Sequence, residues 1–358
     1  MKSKLSLLVL AFLTACGGGG SSPSAPSTPF PTVTINTSAS KVFTGESVKI
    51  SWSSTNATTC NPIEGFAGVQ PVSGELTFAP QKSGTYRYAL SCIGDGRTAS
   101  NAQVVTVEDA IQTFSGSQSP SLSTSANLEG NYKPTVGAFA FNTGLWGPKG
   151  ALSYSFSMVG EINVKNSIIN KAEFLWDVVA SDTPQVVAYN NVTFGKHPGW
   201  TTSTSNKFPA QVGIMPTIKA TGDVKTTCLT KCVFGSIMNM FVTATATPTY
   251  ADVGTEFLIV TENSDGGPNP YIPGYVGQST INGVVYNVYY NAIKSTWNNI
   301  GYSPLTQSST VNVDVKDFMN DAIKRGYIKS TDYLQGVEVG TEVVFGKGKT
   351  TITNFSIN

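Results

Sequence analysis

The sequence predicts an all-β protein with two β domains, and three observations support this class. The 358 residues include 35 Gly and 19 Pro, so turns are frequent and strands are short. Strand-like alternation of apolar and polar residues recurs from about residue 31 to the end of the chain. Helical spacing is found in one segment, residues 313–327. A chain of this length has room for two domains and connecting segments.

Composition and charge narrow the classes of function. Charged residues make up 13% of the chain and the net charge is +1, without a basic stripe, so we expect no nucleic-acid partner. The sequence has one histidine, His197, which excludes a zinc site built from several histidines. Because His197 lies in the Gly/Pro-rich loop FGKHPGW, we interpret it as a satisfied or exposed loop residue. Catalysis would then depend on carboxylates or unusual groups, and we expect no metal or organic cofactor.

The N-terminus carries the pattern of an export segment. Lys2 and Lys4 precede an apolar run, and residues 1–15 are too short to span a membrane as a mature helix. The tetrad Leu-Thr-Ala-Cys that ends at Cys16 resembles the lipobox of bacterial lipoproteins, which implies cleavage before Cys16 and its acylation. An ordinary signal peptide with a chance cysteine is the alternative. Residues 16–30 predict a flexible tether, and we expect an exported, membrane-anchored lipoprotein at the outer membrane or cell surface.

The other four cysteines form two local pairs. Cys60 pairs with Cys92, and Cys228 pairs with Cys232. An even set in an exported, Ser/Thr-rich chain predicts disulfides. Two unlinked thiols, or a metal site at CLTKC, are the alternatives for the second pair, although no further ligand is nearby.

Residues 31–108 read as short alternating strands separated by turns. The pattern SWSSTNATTC…GTYRYALSC is similar to bacterial immunoglobulin-like modules, which implies a β-sandwich stapled by one disulfide. The segment holds no cluster of chemically active residues, so we expect a spacer or docking module rather than a specific binding site. Residues 109–127 are polar with little periodicity and predict a linker.

Residues 128–358 predict a β-sandwich with a single amphipathic helix. Strand-like runs such as ALSYSFSMV and GVVYNVYYN are punctuated by turn residues throughout. We expect the one helix to pack its apolar stripe on a sheet. That stripe comprises Val315, Phe318, Met319, Ala322 and Ile323.

Two glutamates stand within apolar strands of this region. Alternation places Glu256 on one face of GTEFLIV, and Glu342 has a similar setting in VGTEVVF. A carboxylate between covered faces destabilises the fold unless it is paired, hydrogen-bonded or functional. Two carboxylates that face each other across a concave sheet are what glycoside hydrolysis requires. Solvated outer-face residues are the alternative.

Several segments then add a family resemblance. FNTGLWG, FGKHPGW, FPAQVGIMPTI, GTEFLIV and the closing YLQGVEVGTEVVFGKGKTTITNFSIN resemble, in this order, segments of glycoside hydrolase family 12. These are endo-β-1,4-glucanases and xyloglucanases with a β-jelly-roll (concanavalin-like) fold. The resemblance implies a retaining mechanism, with Glu256 as nucleophile, Glu342 as acid/base and a β-glucan as substrate.

Two of the chain's departures from the family pattern bear directly on the site. Asn239 stands where the family has an Asp beside the nucleophile, and Val260 stands where it has a Trp that offers a stacking surface. Sugar rings stack on aromatic side chains and hydrogen-bond through their hydroxyls. Core packing is the alternative for each aromatic residue. The predicted substrate-binding residues are Trp146 and Trp176 first, then Trp200, Tyr189, Tyr271 and Tyr275, with Asn142, Asn191 and Asn239 as polar ligands.

The leading hypothesis is therefore an exported, lipid-anchored and monomeric hydrolase of internal β-1,4-glucosidic bonds. A non-catalytic carbohydrate-binding or adhesion lipoprotein on the same fold is the first alternative. A spacer protein without a ligand is the second. The presence of both glutamates favours the enzyme, because binding alone requires neither of them.

Overall fold

The computed structural model describes residues 28–118, 134–145, 147–265, 273–292 and 297–358. The chain divides into two units, Met1–Glu108 and Asp109–Asn358. The predicted export segment, most of the tether and the predicted site residues Cys16, Trp146 and Tyr271 lie outside the described residues. Within the described ranges, no helix has the length and apolar character needed to cross a membrane.

The first unit consists of two β-sheets around one core. Strands β1, β3 and β5 form an antiparallel sheet, and the second sheet has the order β2-β7-β6-β4. Trp52 lies in the core, where its ring packs edge-on against Phe66. The strands are β1 (Thr32–Thr37), β2 (Lys41–Phe43), β3 (Val48–Thr55), β4 (Thr59–Glu64), β5 (Ser73–Phe78), β6 (Gly84–Gly94) and β7 (Arg97–Glu108).

The predicted disulfide between Cys60 and Cys92 is confirmed. It joins β4 to β6, and the two cysteines are direct cross-strand partners in the same sheet. The bridge therefore ties neighbouring strands and does not link the two sheets. The immunoglobulin-like assignment of this unit remains a prediction.

The second unit is also built from strands, with one α-helix among its described residues. Two short 3₁₀ turns, Pro148–Gly150 and Tyr250–Asp252, accompany them. The elements are β8 (Ile111–Gln118), β9 (Thr135–Val136), β10 (Phe139–Asn142), β11 (Ala151–Asn163), β12 (Ile168–Ala180), β13 (Ala188–Gly195), β14 (Ala210–Gln211), β15 (Lys219–Cys228), β16 (Val233–Thr243), β17 (Val253–Asn263), β18 (Tyr275–Ile281), β19 (Val284–Asn291), β20 (Asn298–Pro304), β21 (Thr310–Asp314), α1 (Val315–Lys324), β22 (Tyr333–Leu334) and β23 (Gly336–Ile357).

These strands form two layers that share β23. The layer that we call the site sheet has the order β9-β10-β13-β23-β16-β17-β20-β19-β18, and the outer sheet has the order β8-β11-β12-β23-β15-β21. The first half of β23 pairs with β13 and β16, and its second half pairs with β12 and β15. The change of sheet falls at Gly346, whose φ of +94° is accessible to glycine and rare for other residues.

The main core lies between the two sheets and follows the alternation of the strands. On β17, Phe257 and Ile259 enter this core, whereas Glu256 and Leu258 lie on the opposite face of the site sheet. Strands β16 and β23 repeat the pattern. Their core residues Met238, Met240, Val337 and Val339 alternate with the polar residues Asn239 and Glu338. We call this second face of the site sheet the site face.

The predicted helix is confirmed as α1. Asp314 caps its N-terminus, because its side chain accepts a hydrogen bond from the backbone N–H of Lys316. The predicted apolar stripe is buried in the main core through Val315, Phe318, Met319 and Ala322, with Ile323 partly buried against it. The helix therefore has a structural role.

The predicted linker is wrong for residues 111–118, which form β8 and pair with β11 along the edge of the outer sheet. The segment is polar because an edge strand needs few apolar contacts. Its apolar anchor is Phe114, which is buried and stacks on Phe141 with ring centroids 3.8 Å apart. Gly160 leaves room for this ring, since a side chain there would meet it.

The second predicted disulfide, Cys228–Cys232, is also confirmed. It closes the turn between β15 of the outer sheet and β16 of the site sheet. The bridge therefore joins the two layers beside the strand that carries Asn239.

Candidate active site

Glu256 lies on the site face of β17 and is reached by three side-chain N–H donors. Trp297 Nε1 donates to its Oε2 over 2.8 Å, and Asn299 Nδ2 donates to the same oxygen over 2.7 Å. Asn239 Nδ2 donates to Oε1 over 3.1 Å. Donors that converge on a carboxylate favour its ionised form.

The strand register explains why these donors converge. Strand β20 runs parallel to β17, and Asn299 is the direct cross-strand partner of Glu256. Strand β16 flanks β17 on the other side, where Phe241 is opposite Glu256 and Asn239 is opposite Leu258, two residues along. Glu256 is therefore held between donors from both neighbouring strands.

Burial and the charge of Glu338 oppose the effect of these donors on the pKa of Glu256. Burial raises the pKa of Glu256 above its ordinary value, and the hydrogen bonds from Trp297 and Asn239 lower it. The negative charge of Glu338 raises the pKa further, and His197 lowers it. The net direction is upward, so Glu256 ionises at a higher pH than an exposed glutamate.

Glu342 lies on the first half of β23, on the same face of the site sheet. Its cross-strand partners are Tyr189 on β13 and Gly235 on β16. Burial raises the pKa of Glu342 to about 8, and the negative charge of Glu256 adds to this effect. Glu342 is therefore mainly protonated at neutral pH.

A third carboxylate, Glu338, shares this face of β23 and is 3% exposed. His197 Nδ1 forms a hydrogen bond with Glu338 Oε1 over 2.6 Å. The His197 ring also packs edge-on against Phe241 and lies 5.7 Å from the Trp200 ring. The loop histidine is thus satisfied, as predicted, but by a residue of the site.

The structure confirms the predicted polar contact of Asn239, and it places the predicted aromatic residue Trp200 at the edge of the site. Asn239 contacts Glu256, in agreement with its predicted position beside the nucleophile. Trp200 is partly buried next to His197. Tyr275 is 59% exposed, and its ring contacts that of Tyr289 with centroids 5.8 Å apart.

Two predicted sugar platforms are wrong. Trp176 is 2% exposed and lies between the two sheets, where it packs with Phe156 and Phe234. Its ring fills the space over Gly348 on β23. Tyr189 lies on the site face but is 6% exposed, and its hydroxyl donates to the backbone carbonyl of Ile237. Both rings are therefore packed and leave no open face for a sugar.

The two predicted asparagine ligands have structural contacts instead. Asn191 is buried, donates to the backbone carbonyl of Tyr189 and accepts from the Thr193 hydroxyl. Its cross-strand partner Asn142 accepts a hydrogen bond from the backbone N–H of Gly144. The Asn142 amide thus supports the loop that follows β10, and the Asn191 amide bonds within its own strand β13.

The space around Val260, where the family pattern has a tryptophan, is filled by neighbouring side chains. Val260 is 2% exposed and packs in a cluster with Tyr189, Ile237 and Leu258 on the site face. Tyr289 from β19 packs against this cluster. The surface that a tryptophan would offer at position 260 is thus replaced by an aliphatic cluster bordered by a tyrosine.

Sequence reasoning missed four residues around Glu256: Trp297, Asn299, Glu338 and His197 as a site residue. For Glu338 a signal was present, because it has the same strand parity as Glu342. For Trp297 and Asn299 the sequence offers only a polar, strand-like segment. Within the part of the chain that the structure describes, no group of three or more His, Cys, Asp and Glu side chains could hold a metal ion.

Comparison with known proteins gives a consistent structural relationship. No protein-family model matches the sequence. No curated protein matches it either. Among solved structures, a native family 12 xyloglucanase from Bacillus licheniformis is 19% identical, with a TM-score of 0.55, and the match covers 68% of this chain and 99% of that one.

Two fungal structures are similar to the same extent. The catalytic domain of Humicola grisea Cel12A, in complex with a soaked thio cellotetraose, is 15% identical with a TM-score of 0.53, covering 63% of this chain and 95% of that one. Endoglucanase 3 from Trichoderma harzianum is 18% identical with a TM-score of 0.52, covering 70% and 98%. At these identities the likeness establishes the fold: the second unit has the β-jelly roll of the family 12 structures.

Proposed function

We propose that the second unit is a retaining glycoside hydrolase that cleaves internal β-1,4-glucosidic bonds of a glucan or xyloglucan. The observation that carries this proposal is the unequal pair of carboxyl groups on the site face. Glu256 receives three N–H donors, whereas burial raises the pKa of Glu342 to about 8. One group is prepared to act as an anion and the other to donate a proton.

In the first step of the proposed reaction, a Glu256 carboxylate oxygen attacks the anomeric carbon. The bond from that carbon to the glycosidic oxygen breaks, and Glu342 gives its proton to the leaving oxygen. In the second step, the ionised Glu342 takes a proton from water as the water oxygen attacks the anomeric carbon. The bond to Glu256 breaks, both carboxyl groups return to their initial states, and the configuration is retained.

The donors around Glu256 give this mechanism its geometry. Trp297 and Asn299 both bind Oε2, and Asn239 binds Oε1. These contacts fix the rotamer of the carboxylate and keep its negative charge stabilised in a buried setting. Nothing in this arrangement needs a metal or an organic cofactor.

The substrate class is inferred from similarity and from the aromatic border of the site. The similar structures are described as xyloglucanases, endoglucanases and a complex with a thio cellotetraose. Trp200, Trp297 and Tyr275 offer aromatic rings near the carboxylates or along neighbouring strands. Stacking of pyranose rings on such side chains fits a β-glucan chain.

Export and lipid anchoring complete the proposal. The apolar run before Cys16 and the Gly/Ser/Pro-rich tether support a lipoprotein that holds a monomeric catalytic unit away from the membrane. The proposed location is the outer membrane or cell surface. The first unit would act as a spacer or docking module.

The activity is tested with the protein starting at Ser21, incubated with xyloglucan, mixed-linkage glucan and carboxymethyl cellulose. We expect new reducing ends and a rapid fall in viscosity, because cleavage is internal. Proton NMR of the first product should show the β-anomer before mutarotation. Tight binding of these polysaccharides without any new reducing ends would contradict the hydrolase and support the non-catalytic binding protein.

The anchor is tested by expressing the full chain in a Gram-negative bacterium with labelled palmitate. We expect label in the membrane fraction and an acylated N-terminal Cys16 by mass spectrometry of the mature protein. The matched variant Cys16→Ser should lose the label while it keeps its polysaccharide hydrolysis. Label-free, soluble protein with an N-terminus other than Cys16 would contradict the anchor.

A further inference from the structure

A hydrogen-bonded pair of titratable side chains, Glu338 and His197, adjoins the candidate catalytic carboxylates. The side chains of Glu338 and His197 are 4% and 14% exposed, and His197 Nδ1 lies 2.6 Å from Glu338 Oε1. The two residues are 141 positions apart in the sequence, so the fold brings them together. Burying a lone carboxylate is costly, and a hydrogen-bonded counter-charge offsets that cost.

The register places this pair next to the residues that hold Glu256. Glu338 is the direct cross-strand partner of Asn239 on β16, and Asn239 donates to Glu256. The edge-on contact between His197 and Phe241 fixes the imidazole above β16, where Phe241 is itself the partner of Glu256. The pair and the candidate nucleophile thus share β16 as their common support.

The charges of the pair act on Glu256 in opposite directions. The negative charge of Glu338 raises the pKa of Glu256, and the His197 charge lowers it. When His197 is an imidazolium and Glu338 a carboxylate, the two charges cancel. Without His197, two or three carboxylates would share one buried face and compete for a proton.

We propose that His197 is a positioning residue of the hydrolytic site, whose imidazolium neutralises the buried Glu338 carboxylate and so leaves Glu256 free to act as the single anion of the resting site. This inference depends on the proposed function for its catalytic meaning. Its electrostatic content concerns the protein alone and is measurable without substrate.

Few titratable side chains surround Glu256, so a change in its titration midpoint can be assigned to a single substitution. The charges of Glu338 on β23 and of His197 in the loop after β13 act on Glu256, Glu256 acts on Glu342, and all three glutamates act on Tyr189 of β13. The neutral side chains around Glu256 are Asn239 on β16, Asn299 on β20 and Trp297 directly before β20. Burial and the nearby carboxylates raise the pKa of Tyr189 well above its ordinary value, so it stays neutral throughout.

The test is a double-mutant cycle on the full-length protein with His197→Asn, Glu338→Gln and both together. The first readout is the acid-side midpoint of kcat/KM against pH. We expect His197→Asn to raise this midpoint by about one pH unit, a tenfold loss of kcat/KM on the acid side. Glu338→Gln should move it to lower pH. The double variant, whose two amides replace the ion pair, should return close to the parent.

The second readout is ¹³C NMR of the glutamate side-chain carboxyl carbons, assigned with a Glu256→Gln variant. The Glu256 midpoint should move in the same directions as the kinetic midpoint. If His197→Asn fails to fold, the downward shift in Glu338→Gln still tests the inference. Midpoints that stay in place in the single variants would overturn it.

The two readouts separate this inference from the proposed function. A parent without hydrolytic activity but with the expected NMR shifts would refute the proposed function and leave the electrostatic role of His197 standing. An active parent whose midpoints do not respond to either substitution would refute the role of His197 alone. A loss of kcat in His197→Asn at all pH values, with unchanged midpoints, would show a merely structural role.

Discussion

The surroundings of Glu256 and Glu342 differ in the N–H donors that reach each carboxylate. Glu256 accepts hydrogen bonds from Trp297, Asn299 and Asn239. Among the described residues, no side chain donates a hydrogen bond to Glu342, whose partner on β16 is Gly235. Both groups are partly buried, so the donors distinguish the carboxylate that is stabilised as an anion from the one that retains its proton. The proposed mechanism assigns the two glutamates different chemical tasks on this basis.

The largest expected effect comes from replacing each glutamate in turn. We expect Glu256→Gln to abolish cleavage of both polysaccharide and an aryl β-cellobioside, because no covalent intermediate forms. Glu342→Gln should lose about 10²- to 10⁴-fold on polysaccharide, but much less on an aryl glycoside whose leaving group needs no proton. Steady-state kinetics on both substrates measure the contrast.

Glu262→Gln provides the matched control, since Glu262 lies on the same strand as Glu256 and accepts a hydrogen bond from the backbone N–H of Thr226. We expect its kcat/KM to stay within about twofold of the parent. Equal losses for Glu256→Gln and Glu342→Gln on the aryl substrate would contradict the division of tasks.

A smaller effect is expected from removing one donor to Glu256. Trp297→Phe keeps an aromatic ring, although a smaller one, and deletes the Nε1–H that reaches Oε2. We expect kcat to fall about tenfold and the acid-side midpoint to rise, because a lost hydrogen bond to the anion disfavours ionisation. Asn299→Ala should act in the same direction. A pH profile that is identical to that of the parent in both variants would sink the assigned role of these donors.

Much of the second unit was predictable because its strands alternate regularly. Parity alone separated Phe257 and Ile259 from Glu256 on β17, and the apolar stripe of α1 identified the one helix in the described part of the unit. The Thr/Ser-rich β8 has the composition of a linker, and its single buried aromatic, Phe114, gives no periodic signal that would predict a strand.

The missed and misplaced site residues have a common physical cause. Trp297 and Asn299 meet Glu256 through the parallel pairing of β17 with β20, whose register is set by the intervening chain and not by a local pattern. The alternation of β12 correctly places Trp176 on one face of the strand, but alternation does not say which face turns toward the core. Glu338 and His197 become partners only once β23 lies beside β13.

The raised pKa of Glu342 also predicts a pH-dependent stability. The folded state holds the Glu342 proton up to about pH 8, whereas the unfolded chain releases it near the ordinary value of 4.5. Its contribution to stability is therefore complete below that value and is lost as the pH rises toward 8.

In urea unfolding of the second unit at pH 5.5 and pH 8.5, the parent should lose about 2–3 kcal/mol more stability than Glu342→Gln. Charges elsewhere are the same in both proteins, so their effects cancel in this difference. Equal losses in parent and variant would show that Glu342 ionises at an ordinary pH in the folded protein.

The smallest expected effect concerns the outlying aromatic pair. Tyr275 on β18 is exposed beside Tyr289 on β19, the strand that pairs with β20. If a glucosyl unit stacks on this ring, Tyr275→Ala should raise KM by about fivefold, equivalent to about 1 kcal/mol, with kcat nearly unchanged. Tyr275→Phe keeps the ring and should behave like the parent. An unchanged KM for Tyr275→Ala would place the substrate elsewhere on the site face.

The central claim is that Glu256 is the nucleophile and Glu342 the proton donor of a retaining hydrolase. The most direct measurement is covalent trapping with an aryl 2-deoxy-2-fluoro-β-cellobioside, followed by peptide mass spectrometry. We predict one adduct on the peptide that contains Glu256, also formed in Glu342→Gln and absent in Glu256→Gln. An adduct on Glu342 or Glu338, or no adduct from an enzyme that hydrolyses the same polysaccharides, would contradict the claim.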